Sequence, residues 1–159
     1  MADTSFILHE QQFQEIKTLL AKLSIDAAAR VVFLVERDGQ QIAVHGDVGD
    51  IDTTSLASLA AGNVAATGGM AQLIGEKEFP TLSHEGERES IHISVINRVL
   101  LVVVFDDRSS LGLVKLRAKQ VALEIAGIFE ALKREASENK TDEAFFSEIT
   151  DEDIDSLFN

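Results

Sequence analysis

Apolar residues recur at Phe13, Ile16, Leu20 and Leu23, the period of one helix face, and predict an amphipathic helix over residues 10–23. Residues 30–36 then form a nearly continuous apolar run that reads as a strand. Asp38-Gly39 is a hairpin turn signal, because glycine supplies positive φ freely, and the chain returns as a second strand over residues 40–45. Beyond a polar loop at 47–50, Asp52 or Thr53 can cap a second helix that reaches about residue 74 and ends at Gly75. Pro80 lies in a connector, and residues 81–85 form a short strand. Residues 89–96 alternate, with Ile91, Ile93 and Val95 on one face and His92 and Ser94 on the other. Asn97-Arg98 is a tight turn before the apolar run 99–105, the pattern of a strand covered on both faces. A capping region at 106–110 opens a last helix with Val114, Ala118, Val121, Ile125, Phe129 and Leu132 as its buried stripe. The order α-β-β-α-β-β-β-α, rich in hairpins, predicts an α+β fold with helices on an antiparallel sheet.

The second helix carries most of the functional information, because residues 53–75 contain no charged side chain. A helix packed on a sheet normally shows water a charged face. A membrane span is excluded by composition, since Thr53, Thr54, Ser55, Ser58, Asn63, Thr67 and Gln72 are polar and glycines interrupt the stretch. The remaining reading is a helix covered on two sides. Leu56, Leu59, Ala60, Asn63, Met70 and Ile74 are expected to face the sheet, and Ala57, Ala61, Ala65 and Gly69 to form an outward stripe of small residues. Such a stripe lets another protein surface approach closely. Packing against a neighbouring helix of the same subunit is the plainer alternative. Glycines at 62, 68 and 69 each cost about 1 kcal/mol of helix propensity relative to alanine, and close contact is the simple offset.

Charge changes the picture at the C-terminal end. Of a net −13 over 159 residues, eight acidic side chains against one lysine fall within 137–159. The chain is therefore expected to divide into a folded domain, 1–136, and a flexible acidic tail, 137–159. The tail ends in apolar groups (Ile149, Ile154, Leu157, Phe158) set among aspartates, a short amphipathic segment that needs a partner surface to be stable. The acidic balance argues against nucleic acid and anionic membranes as partners. No apolar run is long enough to span a bilayer, and residues 1–8 do not read as a secretion signal, so a cytoplasmic protein is expected.

No catalytic constellation appears. With no cysteine, thiol chemistry and zinc-finger sites are excluded. There is no P-loop, and the glycines at 62–69 lie inside a predicted helix without a lysine, so they do not read as a phosphate loop. His9, His45, His84 and His92 lack metal-ligand spacing and read as surface histidines. Asp106 and Asp107 sit at a strand end, where helix capping by Asp107 or Ser109 explains them more simply than acid–base catalysis. No catalytic residue, metal or cofactor is expected.

The segments RVVFLVERDGQ (30–40), IDTTSLASLAAGNVAATGGMAQLIGEKEF (51–79), VLLVVVFDDRSSLGLVKLR (99–117) and ITDEDIDSLF (149–158), in this order, resemble the roadblock/LC7 family, and its bacterial GTPase-regulating members in particular. The resemblance implies a roadblock/LC7 fold, a five-stranded antiparallel sheet with one helix on one face and two on the other. It implies a homodimer joined through the second helices and the edge third strands, placing Ala57, Ala61, Asn63, Thr81 and Ser83 at the dimer interface. It further implies that two subunits bind one small Ras-like GTPase of the MglA type across Ala61, Gly62, Ala65, Gly69 and Met70. GTP hydrolysis is then activated by remodelling the GTPase, without an inserted arginine. Ile154, Leu157 and Phe158 become docking anchors that strengthen binding or promote nucleotide exchange, in a protein of cell polarity and gliding motility placed at a cell pole. A roadblock-type scaffold subunit with no effect on hydrolysis is the alternative. A small-molecule sensor on a PAS-, GAF- or profilin-like sheet fits poorly, because the inward strand positions are almost all aliphatic.

Overall fold

A computed structural model describes residues 8–147. Its elements are α1 (Glu10–Asp26), β1 (Val31–Glu36), β2 (Gln41–Gly46), α2 (Thr53–Leu73), β3 (Thr81–Glu85), β4 (Glu89–Ile96), β5 (Val99–Asp106) and α3 (Leu111–Ser147). The strands form one sheet in the order β2-β1-β5-β4-β3, with every neighbouring pair antiparallel. β1 and β5 are central, and β1 is buried at Val31–Val35, as its unbroken apolar run requires. β2 and β3 are the edges. The element order is the one expected from the pattern, and the five-stranded antiparallel sheet with one helix on one face and two on the other is the architecture that the roadblock/LC7 resemblance implies.

Cross-strand register sorts the side chains between the faces. Val31, Phe33 and Val35 of β1 stand opposite Val104, Val102 and Leu100 of β5, and these six pack with Ile93 against Ala57, Ala60, Ala61 and Val64 of α2. The alternate residues, Val32, Leu34, Leu101 and Val103, point to the other face, where α1 buries Ile16, Leu20 and Leu23 and α3 buries Val114, Ala118, Val121 and Ile125. The turns follow the sequence chemistry. Gly39 takes φ +98 in the β1–β2 hairpin and Asn97 φ +51 in the β4–β5 hairpin, and Gly75 takes φ +86 just after α2. Asp52 caps α2, its Oδ1 accepting from Ser55 N at 3.1 Å.

Two expectations change at α3. Ser110 Oγ, not Asp107 or Ser109, accepts from a first-turn amide, Leu113 N, at 3.2 Å, while Ser109 Oγ donates to the Ala27 carbonyl at the end of α1. The helix also continues past Ser137 and is described as far as Ser147. Acidic composition alone does not stop a helix; Gly or Pro would, and none occurs between Ala131 and Ser147. The chain divides into two compact units, Met1–Ala126 and Gly127–Asn159. Ile149, Ile154, Leu157 and Phe158 lie outside the described residues.

Candidate functional site

α2 is the candidate surface, and its orientation differs from the one expected. Ala57 (2% exposed) and Ala61 (9%) face the sheet with Ala60, Val64 and Ala71. Leu59, Met70 and Ile74, expected inside, stand between 61% and 71% exposed, and Leu73 is 87% exposed. The expected outward stripe is therefore split: Ala65 and Gly69 are on the surface, whereas Ala57 and Ala61 are core residues with almost no side-chain surface to offer a partner. The physical reason is packing distance. Alanines beneath the helix let its axis come close to a sheet already filled with Val, Phe and Leu. Larger side chains there would hold it away.

The outer face consequently combines bulky ends with a small centre. Leu59 stands toward the N-terminal end, Met70 and Leu73 toward the C-terminal end, and Gly62, Ala65, Ala66 and Gly69 lie between them, all exposed. A Cβ built at Gly62, Gly68 or Gly69 would meet nothing within 4 Å. Nothing inside the subunit thus requires glycine at these positions, and the propensity they forfeit has no internal offset. Gly39 is the opposite case: besides its positive φ, a Cβ there would come 3.3 Å from Ser58 Cα, so the β1–β2 turn seats its backbone directly on α2.

Edge strand β3 continues this surface. Thr81, Ser83, His84 and Glu85 are exposed, and the strand pairs only with β4 among the described residues. Asn63, half-buried on α2, bonds through Nδ2 to His84 Nε2 at 2.7 Å and so ties the helix to the edge. Of the expected interface residues, Asn63 meets the edge through His84, which shares the α2 face with Ile91 and Ile93, whereas Thr81 and Ser83 stand opposite Ser94 and His92 and so point to the other face of the sheet, and Ala57 and Ala61 sit beneath the helix. Arg37 closes the other end of the helix: its guanidinium bonds Glu78 in the connector after α2 at 2.7 Å and also donates to the Asn97 carbonyl. The sequence offered no signal for this clamp, which joins residues far apart in the chain.

Several titratable groups are tied into the fold. His92, expected at the surface, is fully buried on β4; its Nδ1 lies 2.8 Å from Ser83 Oγ, and among the described residues Nε2 has no hydrogen-bond partner. Burial, assisted by nearby Lys115, pushes its pKa down from the ordinary 6.5 to about 4. The Arg108 side chain and amide bond the Asp106 carboxyl and hold it below the usual carboxylate range. Arg30 joins Glu89 at 2.6 Å and approaches Asp47 at 3.9 Å, linking three strand ends. Among the described residues no group of His, Asp or Glu could hold a metal ion, and no helix is long and apolar enough to cross a membrane.

The family model described as Roadblock/LC7 domain matches residues 15–105, more than half of the chain. Myxococcus xanthus MglB is 52% identical, with 80% of this chain and 96% of that chain covered and a TM-score of 0.75. The gliding protein MglB from Thermus thermophilus is 32% identical over 80% of this chain and 97% of that chain, again with a TM-score of 0.75. An MglB described as having a tetrameric arrangement is likewise 32% identical, covering 80% of this chain and 96% of its own, with the same TM-score. No curated protein sequence matches.

Proposed function

The chain belongs to the Roadblock/LC7 domain family, and from that premise we propose that it is a non-catalytic, homodimeric regulator that activates a small Ras-like GTPase of the MglA type. The observation that carries this reading is the outer face of α2, a surface without one ionised side chain, with Leu59, Met70 and Leu73 in water around glycines that nothing in the subunit requires. Water is an unfavourable neighbour for such a face, and a protein partner is its natural cover.

In this reading two copies meet through α2 and β3, and one GTPase is received across the centre of the paired helices at Gly62, Ala65, Gly69 and Met70. The small centre matters because a GTPase switch segment can approach the helix backbone there. The chain supplies no acid, base or arginine to the phosphates. It reshapes the GTPase so that the latter's own arginine and glutamine align with the attacking water, an effect that can reach several orders of magnitude in rate. Residues 1–136 act as the folded domain and 137–159 as an accessory arm whose Ile154, Leu157 and Phe158 add affinity or assist nucleotide exchange. The likeness to MglB proteins supports a cytoplasmic role in cell polarity and gliding motility.

The test is phosphate release by the cognate GTPase with full-length chain, with Gly69→Arg, and with a chain ending at Lys140. Wild type should accelerate release and Gly69→Arg should abolish the effect while remaining folded. Binding of an active GTPase without any acceleration would reject activation in favour of a scaffold role.

A further inference from the structure

The first half of α3 presents a second apolar face, unconnected with α2. Leu116 and Leu123 are 53% and 67% exposed and lie two helical turns apart. Lys119 sits between them on the same face, and Lys115 flanks it, also exposed. From Leu111 to Leu123 the helix carries Lys115, Arg117 and Lys119 and no acidic residue, in a protein of net charge −13. Two solvent-exposed leucines with Lys115 and Lys119 beside them, and with the first acidic residue, Glu124, just beyond Leu123, are complementary to an acidic segment that also carries apolar side chains.

The C-terminal end of the chain is such a segment. Residues 148–159 hold five acidic side chains and no basic one, with Ile154, Leu157 and Phe158 at the spacing of a single helix face. α2 cannot satisfy both halves of that chemistry, because it has no cation to offer. We propose that the face of α3 formed by Leu116, Lys119 and Leu123 receives residues 148–159 of a second copy of this chain. In its own chain the segment follows the very helix that bears the face, which is described as far as Ser147, so its twelve residues would have to reach back over the 24 that separate Leu123 from Ser147. A second copy is under no such constraint. The leucines bury the apolar anchors, and Lys115 and Lys119 neutralise aspartates that would otherwise repel an acidic protein. This docking does not depend on the regulator reading. If that reading also holds, the segment exchanges the α3 face for the GTPase.

The absence of cysteine makes the test direct. Full-length Gln120→Cys and Ser156→Cys chains, carrying tags of different size, are mixed and mildly oxidised. The mixed disulfide should form several-fold faster than one between Gln120→Cys and a control Asp50→Cys chain. It should fall to the control rate in about 0.5 M salt, or when the first chain also carries Lys115→Glu and Lys119→Glu, with an unchanged melting curve showing that variant to be folded. A mixed disulfide no faster than the control overturns the proposal. So does a chain bearing both cysteines that closes only on itself in the presence of the single-cysteine copies.

Discussion

The Asn63 amide lies 2.7 Å from Nε2 of His84, and this one bond fastens the middle of α2 to the outermost strand of the sheet. Removing it with Asn63→Ala should lower the unfolding free energy by about 1 kcal/mol, the ordinary worth of a neutral hydrogen bond. The effect should be local. Amide exchange in β3 should quicken well before that of β1, which is hydrogen-bonded on both sides. Equal acceleration in both strands would show that the bond does not specifically hold the edge.

The orientation of α2 separates two alanines that sequence spacing places on one stripe. Ala57→Leu forces a larger side chain against Phe33 and its neighbours, and should destabilise the protein by about 1–3 kcal/mol in denaturant titration. Ala65→Leu meets water and should stay within about 0.5 kcal/mol of wild type. The reverse ranking would turn the helix over.

His92 sets a pH dependence of stability. Its folded-state pKa, about 4, lies below the ordinary 6.5, so between those values the unfolded chain binds more protons than the folded one. Stability therefore falls as pH drops through this window and is fully present above it. The full contribution is about 3 kcal/mol, at 1.36 kcal/mol per pKa unit. Urea titrations from pH 7 to pH 4 should show the decline, and His92→Leu should flatten it. A slope unaltered by His92→Leu would assign the acid sensitivity to other groups.

The exposed glycines should be replaceable without harm to the isolated fold. Gly62→Ala and Gly69→Ala each should raise stability by about 0.5–1 kcal/mol, since a Cβ there enters open space and gains helix propensity. Gly69→Arg should melt like wild type and still fail to accelerate phosphate release. A fall in thermal stability with Gly69→Ala would reveal an internal need for glycine that the packing does not contain.

Much of the fold can be read from local signals, because every strand pair except the central β1–β5 is a hairpin closed by a turn with its own chemistry. Gly39 and Asn97 announce their hairpins, and the Ile91-Ile93-Val95 alternation gives β4 its two faces. The rotation of α2 about its axis is not legible in this way. Such a reading rests on contrast between polar and apolar sides, and a helix without charge has little contrast to read. Alanine fits inside or outside equally, and only the finished sheet decides that Ala57 and Val64 go in while Leu59 and Met70 stay out. The burial of His92 is hidden for a related reason. Alternation places it with Ser94 as a polar face, but α1 and α3 cover that face as fully as α2 covers the other. The reach of α3 beyond Ser137 is hidden too, because a run of acidic residues looks like an end to folded structure and is no stop signal for a helix.

The neutrality of α2 also limits how a complex formed over it can be undone. Ions screen charges, and this helix has none, so an association closed across it should keep nearly the same constant between about 0.05 and 0.5 M salt. Cooling should loosen it instead, because apolar contact weakens toward low temperature and leaves a negative heat-capacity change as its calorimetric mark. A cell therefore has no ionic handle on that contact. Release has to come from a competitor that wants the same face, or from a partner that changes shape beneath it.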